Sequence, residues 1–326
     1  MFRKDLSVTS SFDDSPIAAT VIGAESPRFA VQICHGMAEH RRRYEPFMEH
    51  LASMGGVSIA SDMRGHGETA AGEENYGYFG SEGTEAVLSD VRDVGDVLRQ
   101  EYPDIPFILF GHSMGTLVAR AYAAGADDSI SALILSGEAS ANPAVGAGQL
   151  LASLIGLVRG DRYKSPLLYK MTVGQYDRAF SPVDGEYPEG LWLSQNEENR
   201  RTYKEDPACG FLFTVSGYKT LFSLMKRTYA PRYWNVRNRR MPVLFLSGAE
   251  DPVMAGERGF REAVRFMRDM GYRDVRAKLY PGMRHEILNE TDREAVYADI
   301  DAFLEMLLSP KEAPDPAEMP KNGKDT

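Results

Sequence analysis

Short apolar runs alternate with longer stretches of helical period through the first 140 residues. The runs at 29–34, 57–60, 107–110 and 132–135 are apolar almost throughout, which predicts strands buried on both faces. Between them Val87, Leu88, Val91, Val94 and Leu98 recur at steps of three or four, the spacing of an amphipathic helix. Helices set between continuous apolar strands imply an α/β fold, a mostly parallel sheet covered on both faces. From about 141 to 240 the rhythm breaks. Helix-like pieces at 149–158, 191–205 and 216–227 are separated by turns carrying Pro and Gly, with no clear buried strand. Strand character returns at 243–246, followed by a helix over 257–270 that Gly271 ends in the left-handed stop position. Val275, Ala277 and Leu279 then alternate with Arg276, Lys278 and Tyr280, as on a strand near a sheet edge. A last helix is expected to open with a capping box, Thr291 and Glu294, and to bury Val296, Ile300, Phe303, Leu304 and Leu307. The pattern predicts a discontinuous sheet domain, 1–140 with 241–308, interrupted by a helical insertion, 141–240. The tail, 309–326, holds four prolines and no aromatic residue and is expected to be disordered.

Composition narrows the class. The 326 residues are 43% hydrophobic, enough for a substantial core. Lys and Arg number 37 against 47 Asp and Glu, and a net charge of −10 argues against a nucleic-acid partner. Two cysteines, Cys34 and Cys209, exclude a disulfide scaffold and a four-cysteine zinc site. The first residues lack the apolar stretch of a secretory signal and no run of 18 apolar residues occurs, so a soluble, cytoplasmic protein is expected.

The strongest chemical signal is Gly111-His112-Ser113-Met114-Gly115, a G-x-S-x-G run with an expected strand before it and helix after it. Such a turn strains the middle residue, exposes its side chain and sets it at a helix N-terminus, where developing negative charge is favoured. A serine nucleophile needs a base and the base an orienting acid, following it in the order acid, then histidine. Of six histidines only His285 comes after the last buried strands. Asp251 follows the strand at 243–246, and Pro252 fixes its turn; Glu138, after the preceding strand, is the competing acid. Two backbone N–H groups must hold the oxyanion: Met114, after the nucleophile, and Met37, in the His35-Gly36-Met37 loop that ends the first buried strand. His35 to His40 lacks the spacing of a His-x-x-Glu-His motif, so neither metal nor cofactor is implied.

Taken together, His35-Gly36-Met37-Ala38-Glu39-His40 with Arg43-Tyr44, the run 62–67, the Ser113 turn, the segment 248–251 and His285 resemble the monoglyceride lipase-like branch of the α/β-hydrolases, with its bacterial lysophospholipase-like members. Asp206-Pro207 with Cys209-Gly210-Phe211 is similar to a segment of the bacterial members' caps. The likeness spans about 28–308. It implies an α/β-hydrolase fold with a helical cap, Ser113, Asp251 and His285 as catalytic residues, and Met37 and Met114 as oxyanion donors. It implies further that 62–67 braces the site's loops, and that the substrate is a small acyl ester of glycerolipid type. Met63 before Arg64 departs from the family's usual wording.

The insertion supplies the remaining candidates. Trp192, Phe211 and Phe213, with Phe180, Phe222 and Trp234, either line an apolar substrate pocket or form the insertion's own core. The uncharged, leucine-rich stretch at 139–158 is either buried or an apolar lip facing lipid. Residues 141–240 carry 15 Lys and Arg against 9 Asp and Glu, so a basic lid sits on an acidic body, either as plain solvated surface or for transient contact with an anionic membrane. Three functions stay open: a lipase-type ester hydrolase, a short-chain esterase or peptidase with the same triad, and a non-catalytic binding protein on the same fold. Oligomeric state is not legible.

Overall fold

One eight-stranded sheet carries the molecule in the computed structural model, which describes residues 1–182 and 187–309. In chain order its strands are β1 (Phe2–Thr9), β2 (Pro16–Gly23), β3 (Phe29–Cys34), β4 (Gly56–Ser61), β5 (Phe107–His112), β6 (Ala132–Ser136), β7 (Val243–Gly248) and β8 (Val275–Tyr280). Across the sheet they run β1-β2-β4-β3-β5-β6-β7-β8. Pairing is parallel from β4 to β8; β1 with β2 and β2 with β4 are antiparallel.

Alternate residues of the central strands serve two separate cores, which is why these strands read as unbroken apolar runs. Ile108 and Phe110 join Phe47 and Leu51 of α1 (Glu45–Ser53) and Ile300 and Phe303 of α9 (Glu294–Leu308) on one face. Leu109 joins the other face, packed under α2 (Gly83–Glu101), α3 (Met114–Ala126) and α8 (Gly256–Asp269). On α2 the expected stripe of Val87, Val91, Val94 and Leu98 is buried and Leu88 is half-buried.

Between β6 and β7 the chain forms α4 (Val145–Arg159), α5 (Pro166–Met171), α6 (Glu197–Glu205) and α7 (Val215–Tyr229). α7 packs against α4 and also against α2 and α3 of the sheet layer. Thr214 Oγ1 donates to the Gly77 carbonyl at 2.7 Å and Ser216 Oγ to that of Gly80 at 2.5 Å, fastening α7 to the sheet domain. The leucine-rich stretch is not buried as a whole: on α4 Leu157 is 85% and Val158 82% exposed, with Leu150 and Leu154 beside them. No helix among the described residues is long and apolar enough to cross a membrane.

Two local expectations need correction, and one hairpin was not expected at all. The hairpin β1–β2 went unread because Arg3, Lys4 and Asp5 mask the short alternation of Leu6 and Val8. The helix expected from 191 begins only at Glu197, where the Asn196 side chain accepts the Glu198 N–H; residues 191–195 wrap the loop around His285 instead. The capping box of Thr291 and Glu294 does not form. Residues 291–293 make a turn closed by Arg293 N–H on the Glu290 carbonyl, which leaves Arg293, not Thr291, at the N-cap. The tail lies, from 310 onward, outside the described residues.

Candidate active site

β5 ends at His112 and α3 begins at Met114, so the whole strand-to-helix turn is Ser113. Its φ of 54° and ψ of −120° are sparsely populated for a residue with a side chain, and held strain of this kind accompanies functional positions. The two flanking glycines are steric necessities. A Cβ at 111 would lie 2.4 Å from the Gly115 carbonyl oxygen, and one at 115 only 2.0 Å from that of Cys34. The turn can therefore press α3 against the ends of β5 and β3 only with glycine at both places.

Ser113 opens onto a cavity of about 480 Å³. Its hydroxyl has no hydrogen-bond partner among the described residues, and the His285 imidazole lines the same cavity. His285 Nδ1 bonds Asp251 Oδ2 at 2.8 Å, and both residues are 2% exposed. Asp251 is itself held by the Ser247 hydroxyl at 3.1 Å and the Val253 N–H at 2.8 Å. Burial disfavours the imidazolium, but the adjoining Asp251 carboxylate, with Glu286 and Glu39 beyond it, outweighs that, and the His285 pKa lies above the ordinary imidazole value. Glu138 faces elsewhere: it accepts from Ser140 Oγ at 2.5 Å, Tyr229 OH at 3.0 Å and Arg120 Nη2 at 3.2 Å.

Met37 and Met114 also line the cavity, and neither backbone N–H has an acceptor among the described residues. Two neutral histidines shape the Met37 loop. His35 Nε2 accepts the Met63 N–H at 2.9 Å while Nδ1 contacts the Gly36 carbonyl at 2.8 Å. His66 Nε2 accepts the Ala38 N–H at 3.2 Å while Nδ1 contacts the Arg64 carbonyl at 2.9 Å. Each ring uses one nitrogen as donor and the other as acceptor, and burial lowers the pKa values to about 4 for His35 and about 3 for His66. The rings meet edge to face at 4.8 Å, so the run 62–67 braces the loop at 35–38.

A charged cluster that sequence reasoning missed joins three segments behind this loop. Arg43 donates to Glu39 Oε2 at 2.8 Å, to both oxygens of Glu286 at 2.6 and 2.7 Å, and to Asn199 Oδ1 on α6 at 3.0 Å. Glu39 Oε1 in turn accepts the Gly36 N–H at 2.5 Å and the Tyr44 hydroxyl at 2.8 Å. Burial opposes charge on Glu286, yet the Arg43 guanidinium prevails and holds its pKa at about 2. The available signals were the i, i+4 pair Glu39–Arg43 and an acid directly after His285.

Among the aromatic candidates, Trp192, Phe211 and Phe222 line the cavity. Phe213 does not. It is fully buried among His66, Phe79 and Tyr218, because the ties of Thr214 to Gly77 draw it into the sheet domain's core. Trp234 packs on Phe266 and Tyr272, in the core below α8.

Several known proteins are similar to this chain. A monoacylglycerol lipase of Mycolicibacterium smegmatis is 28% identical over 280 residues, 85% of this chain and 88% of that one. The monoglyceride lipase of Mus musculus is 28% identical over 273 residues, 81% of this chain and 78% of that one. The solved structure of a highly thermostable carboxyl esterase from Bacillus coagulans, in complex with glycerol, superposes with a TM-score of 0.84 at 26% identity, over 95% of this chain and 100% of that one. A family profile described as serine aminopeptidase, S33 (Hydrolase_4) matches residues 25–292, most of the folded chain, and the protein belongs to that family.

Proposed function

We propose that the protein is a serine hydrolase that cleaves carboxylic esters of monoacylglycerol or lysophospholipid type through an acyl-enzyme. The observation that carries the reading is the buried Asp251–His285 bond opening onto the cavity that Ser113, Met37 and Met114 also line. Ser113 Oγ attacks the ester carbonyl as His285 Nε2 takes its proton, while Asp251 holds Nδ1 and stabilises the imidazolium. The N–H groups of Met37 and Met114 receive the oxyanion, a donor of this kind being worth about 3–4 kcal/mol. The alkoxide leaves with the proton from His285, and water, deprotonated by the same ring, releases the acid.

Leu117, Trp192, Phe211, Leu221, Phe222 and Met225 suit an acyl chain in the cavity. An aminopeptidase would need a free carboxylate for the substrate's ammonium. Glu39 and Glu286 on the cavity wall are both engaged by Arg43, and Glu189 pairs with Lys204 at 2.6 Å. We further propose that residues 141–240 act as a cap whose exposed Leu150, Leu154, Leu157 and Val158 touch lipid, helped by the segment's basic charge.

A fluorophosphonate probe should label the protein and fail on Ser113→Ala; labelling that survives the substitution rejects the nucleophile, and no labelling of the wild type favours the non-catalytic reading. Esters of glycerol with medium and long acyl chains should turn over faster than acetyl esters and aminoacyl amides. A preference for acetyl would point to a short-chain esterase, and one for aminoacyl amides to a peptidase. Anionic vesicles should retain the protein better than neutral ones, less so for Leu157→Asp; equal retention would remove the membrane contact.

A further inference from the structure

We infer that Trp192 is a positioning residue for the base, its indole lying against the His285 imidazole so as to favour the imidazolium that forms when Ser113 gives up its proton. This rests on the reading of His285 as the base. The ring centroids are 5.2 Å apart with planes inclined at 36°, inside the distance of about 6 Å at which an aromatic face attracts a cation. Tyr176 backs the indole at 5.3 Å.

The placement is built by the backbone. The Glu286 N–H donates to the Leu193 carbonyl at 2.7 Å, and Arg284 Nη1 donates to the Leu191 carbonyl at 2.7 Å. Residues on both sides of 285 are thus tied to residues on both sides of 192, which holds the two rings in contact. Glu290 tightens the same joint: its carboxylate accepts from the Ser194 hydroxyl and from the N–H groups of Gln195, Asn196 and Arg284.

The chemistry of the imidazole gives this contact work to do. His285 is 2% exposed and meets water only through the cavity, so a positive charge placed on Nε2 is poorly hydrated. Asp251 serves the Nδ1 edge. The other ionisable groups facing the ring are Glu286 on its own loop, Glu39 behind the Met37 loop, with Arg43 between these two acids, and His112 at 4.8 Å from β5. His112 is held neutral by burial, its pKa lowered to about 4. Of these only His112 presents a ring, and an indole is the stronger aromatic partner for a cation, so Trp192 acts on the charge that appears during turnover as well as walling the substrate cavity.

Two simpler roles predict different results. A mere cover that excludes water would, when removed, hydrate the imidazole and raise its pKa. A mere substrate wall would change KM and leave the titration unmoved. The experiment is the NMR titration of the His285 ring, with kcat and KM against pH, in wild type, Trp192→Phe and Trp192→Leu. The leucine variant should lower the His285 pKa by about half a unit to one unit, roughly three- to tenfold in the proton equilibrium, and lower kcat several-fold more than it raises KM. Phenylalanine, which keeps an aromatic face, should restore part of both effects and keeps the inference testable where leucine disturbs folding. An unmoved or raised pKa, or phenylalanine performing no better than leucine, overturns it. The ring titration needs no turnover, so it stands apart from the failure of the base assignment itself, which would show as undiminished activity in His285→Ala.

Discussion

Asp251 and Glu138 follow neighbouring parallel strands, β7 and β6, and both are buried, yet they keep different partners. Asp251 accepts from an imidazole, a hydroxyl and a backbone N–H, so its one exchangeable partner is a ring that can gain and lose a proton. Glu138 is locked to the Arg120 guanidinium and to two hydroxyls. Burial raises the Glu138 pKa against the opposing pull of Arg120. Depth of burial therefore does not distinguish the carboxylate proposed to orient the base from the ion-paired one. The partner does.

The difference should break most sharply in turnover. Asp251→Asn should lower kcat by about 10⁴ while the melting curve stays close to wild type, because the imidazole loses the partner that fixes its tautomer. Glu138→Gln should leave kcat within a few-fold. Exchanged effects between the two variants would make Glu138 the orienting acid. The same pair separates in stability: Glu138→Gln strands the buried Arg120 charge and should cost about 3–5 kcal/mol in denaturant unfolding. A cost below about 1 kcal/mol would mean Arg120 finds another acceptor. The smallest effect is in pH dependence. In the proposed mechanism His285 works only when neutral, and its pKa is raised, so the acid limb of kcat/KM should lie above the ordinary imidazole value of about 6.5. Residual activity of Asp251→Asn should show that limb displaced to lower pH, and Glu138→Gln should leave it unmoved. A limb displaced in Glu138→Gln would give that carboxylate a share in the charge balance at His285.

These two acids also mark where reading a sequence stops. Ser113 was legible because its geometry demands glycine at 111 and 115, a local steric requirement that writes itself into adjacent letters. His285 followed from chain order, and the central strands from their unbroken apolar runs. The preference for Asp251 over Glu138 leans on the turn that Pro252 fixes; the bonds that separate the two acids, to His285 and to Arg120, depend on how two loops leave a sheet, which no local pattern encodes. Phe213 shows the same limit: its composition suits a pocket, but a pair of hydrogen bonds from Thr214 to Gly77 pulls it into the core. The Glu39–Arg43–Glu286 cluster joins residues more than 240 positions apart, so its meaning exists only in the folded chain. At β1 the obstacle was different, since charged residues on an edge strand hide a period of two.

The fastening of 191–196 to the loop at 284–290 has a consequence for anyone who would re-engineer the roof of this cavity. Transplanting the whole insertion from a relative to change chain-length preference would also cut the moorings of the imidazole, so altered selectivity and lost rate would arrive together. Grafts confined to α4, α5 and α7, with the stretch at 191–196 kept native, should let the two properties be tuned apart.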